Sequence, residues 1–422
     1  MKILHINTYD TGGAAKACLR LHQGLLEENI DSKALIKERS NYLPLTFSFI
    51  PALANFKVKL KDKLIRIGKE LKLLGLHSEQ EKTEIALKKV RKGLEMFIYP
   101  FAVTDITESP LYKEADIIHL HWVASFLDWQ SFFAKNTKPV VWTLHDQNPF
   151  LGIEYYAERF LGIDDKGMPI ERKYQKQELQ EEKKMVDFKK NILKNIDNLT
   201  IIAPSKWLLD ESKKSQVFEK YQHFHIPNGF PIEVFKPHNK DFCREILGLP
   251  QNKKVILFVA DSVENNRKGF VFLKKALEKI KNEEIVLCAI GSKTNIEQQN
   301  NLIELGKIQD ERLMAMAYSA ADVFVIPSLE DNLPNTMIES LLCGTPIIGF
   351  PVGGILDVLE DSENGYLCSE ISVEALQKNI EKFLNNSHLF DRQRIAQKAQ
   401  EEYALQVQAK KYVNLYHSIL KT

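Results

Sequence analysis

At 422 residues, with 44% hydrophobic and 27% charged side chains, the chain has a globular make-up and is too long for one typical core. A formal net charge of +1 leaves no global nucleic-acid footprint, and no nucleic-acid partner is expected. Cys18, Cys243, Cys288, Cys343 and Cys368 show neither zinc nor disulfide spacing and read as small apolar fillers in a reducing cytosol. The opening MKILHINTYDTGG lacks the apolar core and cleavage site of a signal peptide, and no apolar run approaches the ~20 residues that span a bilayer.

In chain order, KILHIN (2–7) predicts a strand, Tyr9-Asp10-Thr11-Gly12-Gly13 a loop, and Ala14–Leu26 a helix. SKALIKE (32–38) is a weaker strand. ADIIHLHWV (115–123), PVVWTLH (139–145) and TIIAPS (200–205) read as short buried parallel strands. Alternating strand and helix predicts an α/β chain with a doubly wound parallel sheet. The pattern pauses at Ile226-Pro227-Asn228-Gly229, where an interdomain linker is expected. A second series follows: KVILFVA (254–260), EIVLCAI (284–290), ADVFVIPS (321–328) and TPIIGF (345–350). One long charged helix is expected over roughly 391–420. Two such domains face each other across a cleft at the carboxyl ends of their strands, where ligands bind in these folds.

Two segments interrupt the first domain. Residues 57–93 hold 12 Lys/Arg against 5 Asp/Glu, with Leu60, Leu64, Ile67, Leu71 and Leu74 at helical spacing. That segment either touches an anionic membrane surface or packs on its own domain with a solvated lysine face. Residues 171–194 predict a highly charged helix.

Several residues carry candidate chemistry, each with a plain structural alternative. Asp331 and Glu339, separated by seven residues around a helix entry, could accept sugar hydroxyls, while amides at that entry approach a phosphate. Alternatively Asp331 caps the helix and Glu339 is solvated on a face away from Leu333, Met337, Ile338, Leu341 and Leu342. Glu330, adjacent, can exchange roles with Asp331. Gly12-Gly13 either lets backbone approach a ligand or makes an ordinary turn; it is not a G-x-G-x-x-G fingerprint, which argues against a nicotinamide enzyme. His145, at the end of a parallel strand, either donates to a sugar or acceptor group or is structural. His119 and His121 point to one face of a strand, like a metal pair without an evident third ligand, and burial is expected for both. Arg267-Lys268 either neutralises a leaving diphosphate or forms a surface pair.

Together these motifs resemble the retaining glycosyltransferases of family 4, which have the GT-B fold. The carriers are EDNLPNTxxE (330–339), ADVFVIPS before it, CGTPIIGFPVGG and NGYL after it, INTYDTGGAAKACLRLHQGL, ADIIHLHWV, VWTLHD, APSKWL and IPNG. The first-domain motifs look like a subgroup of bacterial surface-polysaccharide enzymes. The resemblance covers nearly the whole chain. It implies an N-terminal acceptor domain over 1–228 with an insertion at about 45–105, a donor domain over 229–400, and a helix over 401–422 crossing back.

It further implies that Glu339 holds the donor ribose and Asp331 contacts the transferred sugar. Amides at Asn332, Leu333, Pro334, Asn335 and Thr336 would line the donor's phosphate and sugar, as far as each carries an N–H; Gly291, after EIVLCAI, is placed on the donor side too. Lys268, with Arg267, would neutralise the diphosphate, Gly12 and Gly13 would let the first domain close, and His145 would sit at the sugar or acceptor. The co-substrate would be a UDP- or GDP-sugar, with no metal and no other cofactor. The acceptor would be a glycan or lipid-linked glycan, and the location cytoplasmic or peripheral on the inner membrane face. The sequence departs from the family in having Asp331 where Glu is usual and no arginine shortly before Lys268, with Ser262 near that place. Two rival functions remain: a non-catalytic nucleotide-sugar-binding or assembly subunit, and a sugar-nucleotide epimerase of the same fold.

Overall fold

The computed structural model describes residues 1–50, 84, 85, 87, 94, 95, 97–262, 265–280, 282–292 and 301–421. Most of the basic segment 57–93 lies outside the described residues.

Among the described residues the first sheet has seven strands, all parallel, in the order β3-β2-β1-β4-β5-β8-β9. They are β1 Lys2–Tyr9, β2 Asp31–Glu38, β3 Thr46–Ser48, β4 Ile117–Leu120, β5 Val140–Thr143, β8 Leu199–Ala203 and β9 Gln222–His225. The weak strand expected at 32–38 forms β2, because Ala34, Leu35 and Ile36 are all buried beside β1. The central strands are short and wholly buried, as sheets covered on both faces require. β6 (Phe160–Ile163) and β7 (Pro169–Glu171) form a separate antiparallel hairpin. Phe160 and Ile163 pack on the core of the second domain, and Val373 N donates to Gly167 O across 2.9 Å.

Among the described residues the second sheet has six parallel strands in the order β12-β11-β10-β13-β14-β15. They are β10 Lys254–Ser262, β11 Ile285–Ser292, β12 Leu302–Gly306, β13 Val323–Ile326, β14 Ile347–Gly349 and β15 Gly365–Leu367. Both sheets reverse strand order at their first strand, so each has a switch point: β1/β4 in one, β10/β13 in the other. Crevices for ligands open at the carboxyl ends of strands flanking such points.

The charged C-terminal stretch is two helices, not one. Arg392–Tyr403 ends and Leu405–Lys421 begins around Ala404, which has an extended ψ of 143°. The cause is a backbone exchange: Phe230 N donates to Tyr403 O and Leu405 N to Phe230 O, each at 2.9 Å. The chain's two passages between the sheets are thus tied side by side. Beyond the break, Tyr412, Leu415 and Tyr416 pack with Ile3, Leu21, Leu25, Ile117 and Val141 of the first domain. No helix of the described residues is long and apolar enough to cross a membrane.

Candidate active site

The loop from Pro327 to Asn335 leaves β13 at the switch point of the second sheet and enters the helix Asn335–Leu342. It is held from below by Gly353 and Gly354. A Cβ at Gly353 would stand 1.8 Å from Asp331 O, and one at Gly354 1.7 Å from Asn332 O. Only a residue without a side chain lets the two turns touch.

Asp331 does not cap the helix; the capping position is Pro334, with no side-chain bond. Its carboxylate turns to the cations after β10. Lys268 Nζ lies 2.6 Å and Arg267 Nη1 3.4 Å from Asp331 Oδ2, and Asn332 N donates to Oδ1 at 3.1 Å. Burial by itself would raise the Asp331 carboxyl; the Lys268 ammonium and then the Arg267 guanidinium outweigh it and hold the pKa low. The pair Arg267-Lys268 is no surface feature. Arg267 lies over the Tyr156 ring at 4.3 Å and donates through Nε and Nη2 to Glu95 Oε1 at 3.0 and 2.8 Å. Glu330 points elsewhere: its Oε2 accepts from Glu158 N at 2.9 Å, and burial raises its pKa. The structure therefore brings Asp331, and not Glu330, onto Lys268.

Glu339 is neither solvated nor on an open face. The Asn335–Leu342 helix is buried on nearly every side, and Glu339 is 4% exposed. Glu339 Oε1 accepts from Arg20 Nη2 at 2.8 Å and Oε2 from Tyr318 Oη at 3.0 Å. Arg20 also meets Glu311 at 2.6 Å and rests its guanidinium on Phe230 and Phe235, 4.6 and 5.2 Å from the ring centres. A carboxylate has about four lone-pair directions, and these two bonds use two of them.

Arg20 belongs to the helix Gly13–Glu27 of the first domain, so its bond to Glu339 joins the two domains. Other bonds cross the same gap. Asn335 Nδ2 donates to Gly13 O at 3.0 Å, Asn228 Nδ2 to Asn335 Oδ1 at 3.0 Å, and Ser205 Oγ to Asn332 Oδ1 at 2.7 Å. Gly12, at the helix entry, has φ 93°, a backbone state that side chains avoid. Gly12-Gly13 thus faces the Asn335 turn directly. Leu333 is buried, and Thr336 sits in the first turn of that helix. Gly291 is at the carboxyl end of β11, one strand outward from β10.

His145 follows β5, and Asn332 Nδ2 donates to its carbonyl at 3.2 Å. Burial lowers its pKa to about 4, so the ring is neutral. Its neighbour Asp146 is buried, which raises its carboxyl to about 7, although Asn148 N and Trp122 Nε1 donate to it. His119 and His121 are buried as expected: His119 bonds to Tyr416 Oη (2.7 Å) and Thr143 Oγ1 (2.8 Å), His121 to two other histidines.

These imidazoles set an acid limit. His5, His119 and His121 are held well below the usual 6.5, and His145 near 4, with burial the first cause in each. Folded, they bind fewer protons than the unfolded chain, so stability is lost as pH falls from 6.5 toward 4. Each contributes a slope of about 1.4 kcal/mol per pH unit. Asp146, raised, works in the opposite sense over the same range and offsets one of the four. Denaturant titrations at a series of pH values should show a steep loss starting below pH 6.5. A flat profile down to the carboxylate range would show that the rings are not buried neutral.

Residues that sequence reasoning did not single out complete the site: Arg20, Tyr318, Glu311, Glu95, Tyr156, Ser205 and Asn228. Residues 239–402 match the family described as glycosyl transferases group 1. This part of the chain is thus similar to glycosyl transferases of that group. The matched stretch contains Lys268, Asp331 and Glu339. Among curated relatives, D-inositol 3-phosphate glycosyltransferase 2 of Catenulispora acidiphila is 27% identical over 286 residues, covering 63% of this chain. The chain spans only 61% of that relative's length. Among solved structures, sucrose-phosphate synthase from Thermosynechococcus elongatus superposes with a TM-score of 0.69 at 18% identity, over the whole of both chains. The Anabaena protein HepE, in complex with UDP and glucose, gives 0.62 at 15%, covering 99% of this chain and 100% of HepE. These likenesses show the GT-B fold: two Rossmann-like domains, the stretch 239–402 lying in the second.

Proposed function

We propose that the chain is a glycosyltransferase that moves a sugar from a nucleoside-diphosphate sugar to a glycan or lipid-linked glycan in surface-polysaccharide synthesis. The observation that carries this is the cluster of Lys268, Arg267 and Asp331 at the β10/β13 switch point, with the carboxylate of Glu339 in the helix that follows. The similarity to HepE, solved with UDP and glucose, makes UDP-sugars the first donors to test.

In this reading Glu339 accepts the ribose hydroxyls and Asp331 a sugar hydroxyl. The Lys268 ammonium is drawn from Asp331 toward the diphosphate as charge develops on the leaving group. Lys268 and Arg267, with the amides at the helix entry, would do the work a metal does elsewhere, so no metal is invoked. The anomeric configuration is retained by same-face attack, the leaving phosphate taking the acceptor's proton; no protein nucleophile is assigned. The site is proposed to act in the cytoplasm, either free or peripheral on the inner face of the membrane. The charge of segment 57–93 is the support for that location, and flotation with anionic vesicles tests it. Failure to float at low salt removes the membrane contact.

The deciding experiment is a thermal-shift series with UDP-, GDP- and ADP-sugars. A donor at ~100 times its dissociation constant should add about 2.7 kcal/mol of stability. The shift should vanish in Glu339→Ala, judged against that variant's own baseline. No shift with any nucleotide sugar would count against donor binding altogether. A shift with no transfer to any glycan acceptor would favour the binding-subunit reading.

A further inference from the structure

Three imidazoles stand in file from the interior of the first domain to its cleft end. His5 Nδ1, on β1, lies 3.0 Å from His121 Nε2, just past β4. His121 Nδ1 lies 3.1 Å from His145 Nε2, just past β5. Burial keeps all three rings neutral, so each has one N–H and one lone pair. The two shared bonds must then point the same way. If His5 donates to His121, His121 donates to His145, and His145 is left with its proton on Nδ1. If the order is reversed, every proton is on Nε2 and His5 Nε2–H is the inner end.

The inner end decides between them. His5 Nε2 is buried and has no hydrogen-bond partner. The reversed order would make it an orphaned N–H, the rarer and less tolerated kind of orphan; the outward order leaves a bare lone pair. Cys18, from the Gly13–Glu27 helix, offers its sulfur within 4.8 Å of ring nitrogens of His5 and His121. Burial raises its thiol far above the ordinary range, so it stays an uncharged S–H, and it makes no hydrogen bond to His5 Nε2. Among the described residues no bond is made by His145 Nδ1, the outer end.

We propose that His5 and His121 are positioning residues that fix His145 as the neutral Nδ1–H tautomer, a hydrogen-bond donor at the cleft end of the file. The group it recognises is an oxygen with a free lone pair, a sugar hydroxyl or a phosphate oxygen. His145 cannot take a proton there as a base unless both inner bonds reverse. The identity of the ligand rests on the glycosyl-transfer reading; the tautomer does not. A soft metal ion held by His5, Cys18 and His121 is the competing account of the same residues. His121, however, already uses both ring nitrogens on its neighbours, and an ion would break the file.

The test uses the full chain with ¹⁵N-labelled histidine, without substrate, at neutral pH, the rings being assigned through single-histidine variants. His5, His121 and His145 should each show a protonated Nδ1 and a bare Nε2. A protonated Nε2 on His145, an imidazolium, or about one equivalent of bound metal by elemental analysis would overturn the proposal. Two variants add a functional reading. The amide nitrogen of Asn falls near the place of Nδ1 and can donate to His121; Leu cannot. His5→Leu should mix the His145 tautomers and lower kcat about tenfold, one hydrogen bond's worth, with donor KM little changed. His5→Asn should restore both. Equal losses in the two variants would make His5 a packing residue and refute its positioning role. If His5→Leu does not fold, the wild-type spectrum decides alone. If wild-type protein transfers no sugar at all, the proposed function fails while the spectrum still judges the tautomer.

Discussion

Arg20→Met should cost about 3–5 kcal/mol, the usual penalty for removing one partner of a buried ion pair. Both side chains are almost sealed from water, Arg20 at 7% and Glu339 at 5% exposure. Without Arg20, the Glu339 carboxylate keeps only the Tyr318 hydroxyl and must be desolvated nearly alone. Glu311 suffers less, since it is 30% exposed and has Lys16 at 3.7 Å. Methionine retains apolar contact with Phe230 and Phe235, so the loss reports charge and not a cavity. Urea melts of Arg20→Met, Glu339→Gln and the double variant form the cycle that isolates the pair. The double variant should recover much of the loss, because neither charge is then buried. A single-variant cost under about 1 kcal/mol, the range of exposed pairs, would mean that the two domains stand apart in solution.

That pair also shows where sequence reading stops. Both doubly wound sheets were legible because buried parallel strands are continuous apolar runs: IIHL, VVWT and VFVI each stand out from their flanks. Asp331, Glu339 and Lys268 were legible because their spacing lies within one loop-and-helix unit or at a strand end. Arg20 was not. It lies in a helix among Cys18, Leu21 and Leu25, and nothing local says that its partner is 319 residues away. Glu95 is likewise an ordinary acid in GLEMF until the fold sets it against Arg267, 172 residues on. The break at Ala404 was hidden for the same reason: the local sequence favours continued helix, and the competing bonds come from Phe230. The histidine file joins three strands that are distant in sequence and adjacent in the sheet.

Lys268→Ala should lower kcat by about 10²–10³, the range for removing one preorganised charge from a developing oxyanion, while the domain stays folded. The fold should survive because Lys268 is the more exposed of the two cations on Asp331. Arg267 remains 3.4 Å from the carboxylate, fixed by Glu95 and Tyr156, so the charge is not orphaned. The loss should appear mainly in kcat, because the ammonium's pull on the diphosphate strengthens as the leaving group builds up charge. Glu339→Ala should behave differently. The ribose is held equally in ground and transition states, so that variant should act mainly through KM. It should also destabilise the fold, since Arg20 would lose its buried partner. Steady-state kinetics on both variants separates these roles: a kcat effect for Lys268 beside a KM effect for Glu339 fits a diphosphate at one end of the cleft and a ribose at the other. Unchanged turnover in both would remove the donor site from this cluster. Equal losses through KM alone would leave the ammonium as a ground-state anchor, and the leaving-group charge would need another bearer, for which Arg267, 3.4 Å from the same carboxylate, is placed.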